Sequence, residues 1–439
     1  MDRDKFEQIR NDDLPENLDL NDEFKLTSDV MENTDLSVFV TGPAGTGKTT
    51  LEKYFIANTK KKVVVLAPTG VAALKAGGQT IHSFFRFPPK LIDKSDIRRV
   101  LHSGLIQNLD MVIIDEVSMC RADLMDGIDY ALRINREIDE PFGGVQMAFF
   151  GDLFQLPPVV EKEAREVLKK KYSTPYFFSA KVFDELDVKY IELSKIYRQI
   201  NIQFIELLNR IRNKRHTEED LKLLNTRVRK IATRSSPNGI IVLTTTNYLA
   251  STINQDRLAK LPGREYSYKA IITGKFDVSS YPTDTDIRLK EGAQIILIKN
   301  DFAGRWVNGT LAKVAGLSDN SIQVDINGSI HEVIMASWHK IEYQYNEQED
   351  KVESKIVGTF EQFPLRLAWA LTIHKGQGQT LDKLILDLGH GAFTHGQVYV
   401  ALSRCTSLDG ITLKRPVIHS DVIFDNRIYE FRERFVNLL

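Results

Sequence analysis

Residues 38–49 read Val38-Phe39-Val40-Thr41-Gly42-Pro43-Ala44-Gly45-Thr46-Gly47-Lys48-Thr49, an apolar run that leads into a glycine-rich turn. The turn fits the pattern Gly-x-x-x-x-Gly-Lys-Thr, and a helix-like run follows it. A strand, such a turn and a helix together form a loop whose backbone N–H groups hold phosphate oxygens. The stretch therefore predicts an α/β fold with a nucleotide site at one edge of a parallel sheet.

The residues of this loop have expected roles. Lys48 reaches the β- and γ-phosphate oxygens of ATP, and the Thr49 hydroxyl is a ligand of Mg²⁺. The surrounding positions cradle the phosphates, and we assign that role to Gly42, Ala44, Gly45, Thr46, Gly47 and Thr50. The alternative is a chance glycine-rich turn, which would have to match every position of the pattern and its strand–helix context.

An acidic pair follows another apolar run, Met111-Val112-Ile113-Ile114. A parallel strand here would deliver Asp115 and Glu116 to the sheet edge that carries the phosphate loop. Asp115 would then hold Mg²⁺, and Glu116 would orient and deprotonate the attacking water. An acidic pair at a strand end is often a helix cap instead, and only the first interpretation requires a metal.

Three more residues are candidates for the same site. Gln155 lies in the segment 151–158, Gly-Asp-Leu-Phe-Gln-Leu-Pro-Pro, where it can report on the γ-phosphate. Arg198 and Arg404 lie in the second half of the chain, and an arginine supplied across a cleft stabilises charge on a transferred phosphoryl group. The alternatives are a polar turn for Gln155 and a surface ion pair for each arginine.

Small polar and aromatic residues near the ends of predicted strands indicate a nucleic-acid track. Hydroxyl groups bind phosphates without reading sequence, and aromatic and histidine rings stack on bases. The candidates are Pro68, Thr69, Gly70, His82 and Phe84 in the first half of the chain, and Thr245, Asn247, His374 and Lys375 in the second half. Phe84 and its neighbour Phe85 are also compatible with the hydrophobic core.

The composition is that of an ordinary soluble globular protein. The 439 residues are 42% hydrophobic and 27% charged, which argues against a disordered or fibrous chain. No signal peptide or membrane-spanning run is recognisable, so we expect an intracellular protein, cytoplasmic or, in a bacterium, associated with the nucleoid. Cys120 and Cys405 are too few for a disulfide framework and predict reduced, buried thiols. The net charge of −1 means that any nucleic-acid surface is a local groove.

The apolar runs predict two doubly wound α/β lobes with two inserts. Residues 1–35 form a helical segment, residues 36–183 the first lobe, and residues 184–265 and 358–439 the second lobe, which begins near Val188–Tyr190. A short insert at about 76–105 protrudes from the first lobe. Residues 266–357 form a small β-barrel, with Asn308-Gly309 and Asn327-Gly328 as two-residue hairpin turns.

The order of these motifs is more specific than that of a generic nucleotide-binding protein. The phosphate loop, Asp115-Glu116-Val117-Ser118-Met119, and the segments 151–158, 368–378 and 399–404 together resemble the PIF-type (petite integration frequency) helicases of superfamily one. These helicases are relatives of the RecD subunit. Residues 124–146 resemble the helix and turn that separate the family from RecD itself, and the match extends from about residue 36 to residue 415.

The resemblance implies an ATP-dependent DNA helicase that translocates 5′ to 3′ on single-stranded DNA. Its expected substrates are partial duplexes, fork junctions and G-quadruplex DNA, in DNA repair, recombination or replication. The resemblance also implies two RecA-like lobes, a Src-homology-three-like barrel at 266–357, a monomer, and roles at the ATP site for Gln155, Arg198, Gly378 and Arg404. Relatives read adenine with an upstream glutamine, which Leu20-Asn21-Asp22-Glu23-Phe24 lacks, so selectivity for ATP stays open.

Two other functions stay compatible with the residues. One is a DNA-dependent ATPase that moves along DNA, or remodels protein–DNA complexes, without unwinding the duplex. The other is a non-motor enzyme such as a kinase, against which the two arginines and the lack of a small-substrate motif argue.

Overall fold

The computed structural model describes residues 20–88, 90–99, 104–160, 162–199, 201–229, 239–346, 348, 351–377 and 379–436. The expected site residue Gly378, most of the predicted N-terminal segment and part of the predicted short insert therefore lie outside the described residues. No helix of the described ranges is both long enough and apolar enough to cross a membrane.

The first lobe is built on a parallel six-stranded sheet. Its strands are β1 (Ser37–Thr41), β2 (Val63–Ala67), β3 (Gln79–Thr80), β4 (Met111–Ile114), β5 (Gln146–Phe150) and β6 (Val188–Glu192). They lie in the order β3-β2-β4-β5-β1-β6. Strands β1, β4 and β5 are buried along their whole length, as expected for apolar strands that helices cover on both faces.

Helices cover the two faces of this sheet. They are α1 (Asp22–Asn33), α2 (Lys48–Asn58), α3 (Gly70–Ala76), α4 (Ile81–Phe85), α5 (Gly104–Gln107), α6 (Ala122–Arg136) and α7 (Lys162–Lys171). The phosphate loop joins β1 to α2, so the strand–turn–helix prediction for residues 38–49 is confirmed. Cys120 and Cys405 are free and buried, as predicted.

The predicted boundary between the lobes is wrong. The strand at Val188–Tyr190 does not begin the second lobe, because β6 pairs in parallel with β1 along its length. The first part of the predicted insert at about 76–105 belongs to the lobe itself, because β3 pairs with β2 and the side chains of Phe85, Phe87 and Ile92 lie in the core. A sequence pattern reports the type of an element and not the sheet that it joins.

The second lobe has a smaller parallel sheet. Before the insert it contains α8 (Ile202–Arg212), α9 (Glu218–Asn225), β7 (Ile241–Thr244) and α10 (Asn247–Lys260). The insert contains β8 (Tyr266–Lys269), β9 (Ile271–Gly274), β10 (Asp286–Leu289), β11 (Gln294–Leu297), β12 (Leu311–Leu317), β13 (Ile322–Ile326), β14 (Ser329–Val333), β15 (Ala336–Asn346), β16 (Lys351–Gln362) and β17 (Leu365–Leu367). The lobe then resumes with β18 (Ala370–Thr372), β19 (Leu384–Asp387), α11 (Gln397–Leu402), β20 (Ile411–Leu413) and α12 (Arg427–Val436). Its four strands lie in the order β18-β7-β19-β20.

The insert is antiparallel β-structure in sheets of five, three and two strands. Asn327-Gly328 is the two-residue turn between β13 and β14, with φ values of 53° and 90° that suit these two residue types. The same prediction for Asn308-Gly309 is wrong, because β11 and β12 are joined by the longer segment 298–310. Closure of the strands into a Src-homology-three-like barrel stays a prediction.

Candidate nucleotide and nucleic-acid site

The phosphate loop is held in a conformation that requires glycine. Gly42, Gly45 and Gly47 have φ values of 144°, 90° and 84°. A Cβ atom on Gly42 would lie 2.4 Å from the carbonyl oxygen of Leu193, and one on Gly45 would lie 2.6 Å from Cβ of Arg198. The segment after β6 therefore packs directly on the loop, and only residues without a side chain permit this approach.

The remaining loop residues are held by short hydrogen bonds. The Nζ atom of the half-buried Lys48 donates to the carbonyl oxygens of Gly42 at 2.7 Å and Pro43 at 3.1 Å. The Ala44 N–H donates to the Tyr399 hydroxyl at 2.8 Å, and the Thr46 hydroxyl donates to Pro43. Thr49 and Thr50 lie in the first turn of α2, beside the helix N-terminus that favours an anion.

Asp115 and Glu116 follow β4 and lie at the same edge of the sheet as the phosphate loop. Burial, and then the charge of Glu116, raises the pKa of Asp115 to about 7. The Glu116 N–H donates to Asp115 Oδ1 at 2.8 Å. Glu116 itself has φ 50° and ψ 40°, a left-handed conformation that costs a non-glycine residue about 1–3 kcal/mol. The helix-cap alternative does not account for this strain, because the Glu116 side chain caps no helix.

A glutamine of the second lobe joins these residues to Gln155. Gln377 Nε2 donates to Glu116 Oε2 at 3.2 Å and to Gln155 Oε1 at 3.1 Å. Gln155 is buried and donates in turn to Asp152 Oδ2 at 3.2 Å. Gln155 does lie in a polar turn, because its N–H also donates to the Asp152 carbonyl oxygen at 2.9 Å, and the turn brings its side chain to the contact between the lobes.

Arg198 and Arg404 lie close together at this contact. The Arg404 side chain is only 2% exposed and donates to the Val400 carbonyl oxygen and the Ser403 hydroxyl at 3.0 Å each. Burial, and then the charge of Arg198, lowers the pKa of Arg404 to about 9. Arg198 donates to the Ser403 carbonyl oxygen at 3.3 Å.

The surface ion-pair alternative for Arg404 is wrong, because the side chain is buried. Neither Arg404 nor Arg198 has a carboxylate within ion-pair distance in the part of the chain that the structure describes. A buried and a half-buried guanidinium group without a paired carboxylate form a site that favours a polyanion.

Sequence reasoning missed an ion pair beneath the nucleotide site. Arg212 NH2 donates to Asp152 Oδ1 at 3.0 Å, and the two side chains are 3% and 0% exposed. The Arg212 guanidinium also lies over the Phe154 ring, 4.0 Å from its centroid. The Tyr399 hydroxyl donates to Asp152 at 3.4 Å. Asp152 stands in a recognisable motif, but nothing in the helical pattern around Arg212 distinguishes it from a surface arginine.

Replacing Arg212 with leucine is expected to lower the free energy of unfolding by about 3–5 kcal/mol, because it leaves the Asp152 carboxylate buried without its partner. Chemical denaturation at neutral pH measures this change. Arg288→Leu is the matched control, since Arg288 is 63% exposed in its ion pair with Asp286 and solvent screens the pair, so this variant should lose far less stability than Arg212→Leu. Equal losses in the two variants would contradict a buried Arg212–Asp152 pair.

The Arg212–Asp152 ion pair also makes the free energy of unfolding depend on pH in the acidic range. Burial alone would raise the pKa of Asp152, but the charges of Arg212 and Lys48 outweigh burial and hold this pKa below its ordinary value. A carboxyl group with a lowered folded-state pKa stabilises the fold above its unfolded-state pKa of about 3.9 and loses that contribution as pH falls. The wild-type chain should therefore lose the stabilisation that Asp152 contributes below about pH 4. The Arg212→Leu variant lacks this stabilisation and should not show the loss.

Gly70 and Phe84, two of the predicted track residues of the first lobe, lie against the insert. Gly70 packs so closely on Ser280 that a Cβ atom there would lie 2.1 Å from the serine hydroxyl oxygen. The Tyr343 ring lies 6.1 Å from the Phe84 ring, and the Tyr343 hydroxyl accepts a hydrogen bond from Val65 N–H at 3.1 Å. A nucleic-acid strand that contacts Thr69 and Gly70 therefore requires the insert to move away.

The other predicted residues of this group are partly accessible. Pro68, Thr69, His82 and Phe84 are half-buried. The Thr69 side chain caps α3 by accepting from Ala72 N–H at 3.3 Å. Burial lowers the pKa of His82, so its ring stays neutral at physiological pH. Phe85 lies in the core, which confirms the core alternative for that residue.

The predicted track residues of the second lobe follow β7 and β18. Asn247 is exposed at the start of α10, while Thr245 is buried beside it. His374 is half-buried and Lys375 is exposed. Sequence reasoning missed Tyr248, which is 82% exposed next to Asn247 and is therefore a further candidate for stacking on a base. Its position directly after a predicted track residue was the available signal.

The chain is similar to known proteins over most of its length. The family model described as PIF1-like helicase matches residues 21–222. The crystal structure of Bacteroides sp. Pif1 in complex with ADP-AlF4 is 38% identical, aligns with a TM-score of 0.90, and covers 96% of this chain and 98% of that chain. The chain belongs to the PIF1-like helicase family. Its two lobes are accordingly the RecA-like lobes of Pif1 helicases.

Two further comparisons concern the length of the relatives and the arrangement of the lobes. The ATP-dependent DNA helicase PIF1 of Rattus norvegicus is 33% identical over 391 residues, which cover 85% of this PIF1-like chain and 58% of the rat protein. The chain thus spans little more than half the length of that curated relative. The structure of Bacteroides Pif1 bound to ssDNA is also 38% identical over 96% of this chain and 98% of that chain, but its TM-score is 0.70. The arrangement described above is therefore more similar to that of the ADP-AlF4 complex.

Proposed function

We propose that this chain is an ATP-dependent DNA helicase that translocates 5′ to 3′ on single-stranded DNA and unwinds duplex DNA. The observation that carries the proposal is the division of one anion site between two lobes. The phosphate loop and the acidic pair belong to the first lobe, whereas Gln377 and Arg404 approach them from the second lobe. A nucleotide that contacts both sets of residues favours the closed arrangement, and its hydrolysis releases that arrangement.

At the nucleotide, each group has a role that its position supports. The glycine-rich backbone and Lys48 bind the phosphates, and Thr49 and Asp115 would hold Mg²⁺. The fit of these residues to the ion rests on oxygen donors at a helix N-terminus and on the raised pKa of Asp115, which a cation would lower. When bound, Mg²⁺ neutralises charge on the phosphate oxygens.

The remaining groups act on the transferred phosphoryl group. Glu116 accepts a proton from the attacking water, and Gln377 holds its carboxylate in position. Gln155 detects the γ-phosphate, and the Arg198 and Arg404 guanidinium groups stabilise the charge that develops on it. These roles are parts of the proposal, as is the role of Gly378, which lies outside the described residues.

Single-stranded DNA would cross both lobes on the side where the carboxyl ends of the parallel β-strands lie. Pro68, Thr69, Gly70, His82 and Phe84 would contact it on the first lobe, and Thr245, Asn247, His374 and Lys375 on the second lobe. The segment 372–377 supports coupling between the strand and ATP, because His374 and Lys375 lie two or three residues from Gln377. The Bacteroides Pif1 complex with ssDNA supports DNA as the track.

The proposal extends to the oligomeric state, the location and the DNA substrates of the chain. We propose that the chain acts as a monomer inside the cell, on fork junctions and G-quadruplex DNA as well as on simple duplexes, in repair, recombination or replication. An arrangement in which one chain supplies both halves of the nucleotide site needs no second copy for hydrolysis. It gives the proposal of a monomer its physical basis.

Unwinding assays with directional tails test the function. A labelled duplex with a 5′ single-stranded tail should be separated in the presence of ATP and Mg²⁺, whereas a blunt duplex and a duplex with only a 3′ tail should stay intact. ATP hydrolysis should rise when single-stranded DNA is added and less when RNA is added. Preference for the 3′ tail would contradict the polarity. Displacement of streptavidin from a biotinylated strand without strand separation would instead identify a translocase.

A further inference from the structure

Glu52 is a buried carboxyl group that the proposed mechanism does not use. It lies in α2 and is only 1% exposed. Neither of its carboxylate oxygens has a hydrogen-bond partner among the described residues. Burial of a polar group without a partner is costly, so this side chain lowers the stability of the fold rather than raising it.

The position of Glu52 relates it to the expected metal ligands. It lies three residues after Thr49 in α2, and residues at this spacing share one face of a helix. Burial raises the pKa of Glu52 well above its ordinary value, and the charge of Asp115 raises it further. Glu52 thus lies within electrostatic reach of Asp115 while it follows Thr49 on the helix.

The described residues contain no set of three or more histidine, cysteine, aspartate or glutamate side chains arranged to hold a metal ion. Glu52 therefore does not form such a set with Asp115 and Glu116. Mg²⁺ in nucleotide sites usually keeps several water molecules and takes only one or two carboxylates. The protons of those water molecules need acceptors, and groups that supply them tune the affinity for the metal.

We propose that Glu52 accepts hydrogen bonds from water molecules of the Mg²⁺ ion held by Thr49 and Asp115, and so raises the affinity of the site for the metal–nucleotide complex. The inference rests on the proposed function, because it requires Mg²⁺ at that position. It explains why an unpartnered carboxyl group is kept in the core of the first lobe. The Glu52 carboxyl group serves as a hydrogen-bond acceptor when Mg²⁺ is bound, and its burial lowers the stability of the fold when the ion is absent.

A Mg²⁺ titration of nucleotide binding tests the proposal without relying on turnover. Fluorescence of N-methylanthraniloyl-ADP would be followed at fixed nucleotide concentration for the wild type, Glu52→Gln and Glu52→Leu. Glu52→Leu should need about tenfold more Mg²⁺ for half-maximal binding, the usual size of an outer-sphere effect. Glu52→Gln should show a smaller increase, because its amide oxygen still accepts a hydrogen bond but carries no negative charge, and binding in EDTA should stay unchanged in both. Glu32→Gln is the matched control, because the Glu32 carboxylate accepts from Thr59 at the far end of α2.

Thermal unfolding supplies a second readout. Glu52→Leu should melt at a higher temperature than the wild type, since it replaces an unpartnered buried carboxyl group with an apolar side chain. Mg²⁺ titrations that match the wild type in both variants would overturn the proposal. If Glu52→Leu does not fold, Glu52→Gln, which keeps the shape, still decides the question. Wild-type binding that does not depend on Mg²⁺ would instead contradict the proposed function itself.

Discussion

Arg404→Ala should bind nucleotide and single-stranded DNA but hydrolyse ATP about 10³-fold more slowly than the wild type. The phosphate loop, Lys48 and Asp115 belong to the first lobe and do not need Arg404 to hold the nucleotide. Arg404 is buried at the contact between the lobes beside Arg198, and in the proposed mechanism its charge acts on the phosphoryl group only when the lobes are closed. Its loss should therefore separate binding from catalysis.

The measurement is kcat as a function of single-stranded DNA concentration, together with nucleotide affinity. DNA should barely raise the rate of Arg404→Ala, because strand-induced closure no longer delivers the guanidinium. Arg404→Lys should recover only part of the rate, since an ammonium group lacks the planar fork that contacts two oxygens. Arg434→Ala, at an exposed position of α12, serves as the control and should behave as the wild type. A normal DNA-stimulated kcat in Arg404→Ala would refute the divided site.

Lys48→Ala is expected to lower the rate of ATP hydrolysis by about 10²–10³-fold and to abolish unwinding. Lys48 Nζ lies at the centre of the phosphate loop, 2.7 Å from the Gly42 carbonyl oxygen, and it is the only charge that the loop itself supplies. Burial lowers the pKa of Lys48, while the Asp152 carboxylate offsets part of this effect. Removal of the ammonium group leaves the loop backbone in place but removes the positive charge beside the γ-phosphate.

Hydrolysis and strand separation of this variant would be compared with those of Lys60→Ala, an exposed lysine just beyond α2. Fluorescence anisotropy of a labelled single strand should show that Lys48→Ala retains most of its DNA affinity, since the proposed track lies outside the loop. Thermal unfolding should show that the variant is folded. Unwinding at the wild-type rate by Lys48→Ala would remove the basis for an ATP-driven motor at this loop.

Local motifs were sufficient for the nucleotide site because a strand, a turn and a helix define the phosphate loop within twelve residues. The acidic pair was equally recognisable, because Asp115 directly follows the apolar run Met111-Val112-Ile113-Ile114. Arg404 was a candidate from the sequence with a surface ion pair as the alternative, and its burial became evident only in the fold. Arg212, Glu52 and Tyr248 had no local signal of comparable strength. A charged or aromatic residue in a helical pattern does not reveal what packs against it.

The amino-acid sequence by itself determined the phosphate loop, the acidic pair, the parallel α/β class and membership in a helicase family, because each depends on residues that are adjacent or regularly spaced. Tertiary structure alone decided that β6 joins the first sheet, that Arg212 neutralises Asp152, and that the insert covers Gly70. It also decided that Gln377 contacts Glu116 across the two lobes. The physical reason is that long-range pairings depend on the packing of whole elements, whereas a motif is read from the spacing of residues along the chain.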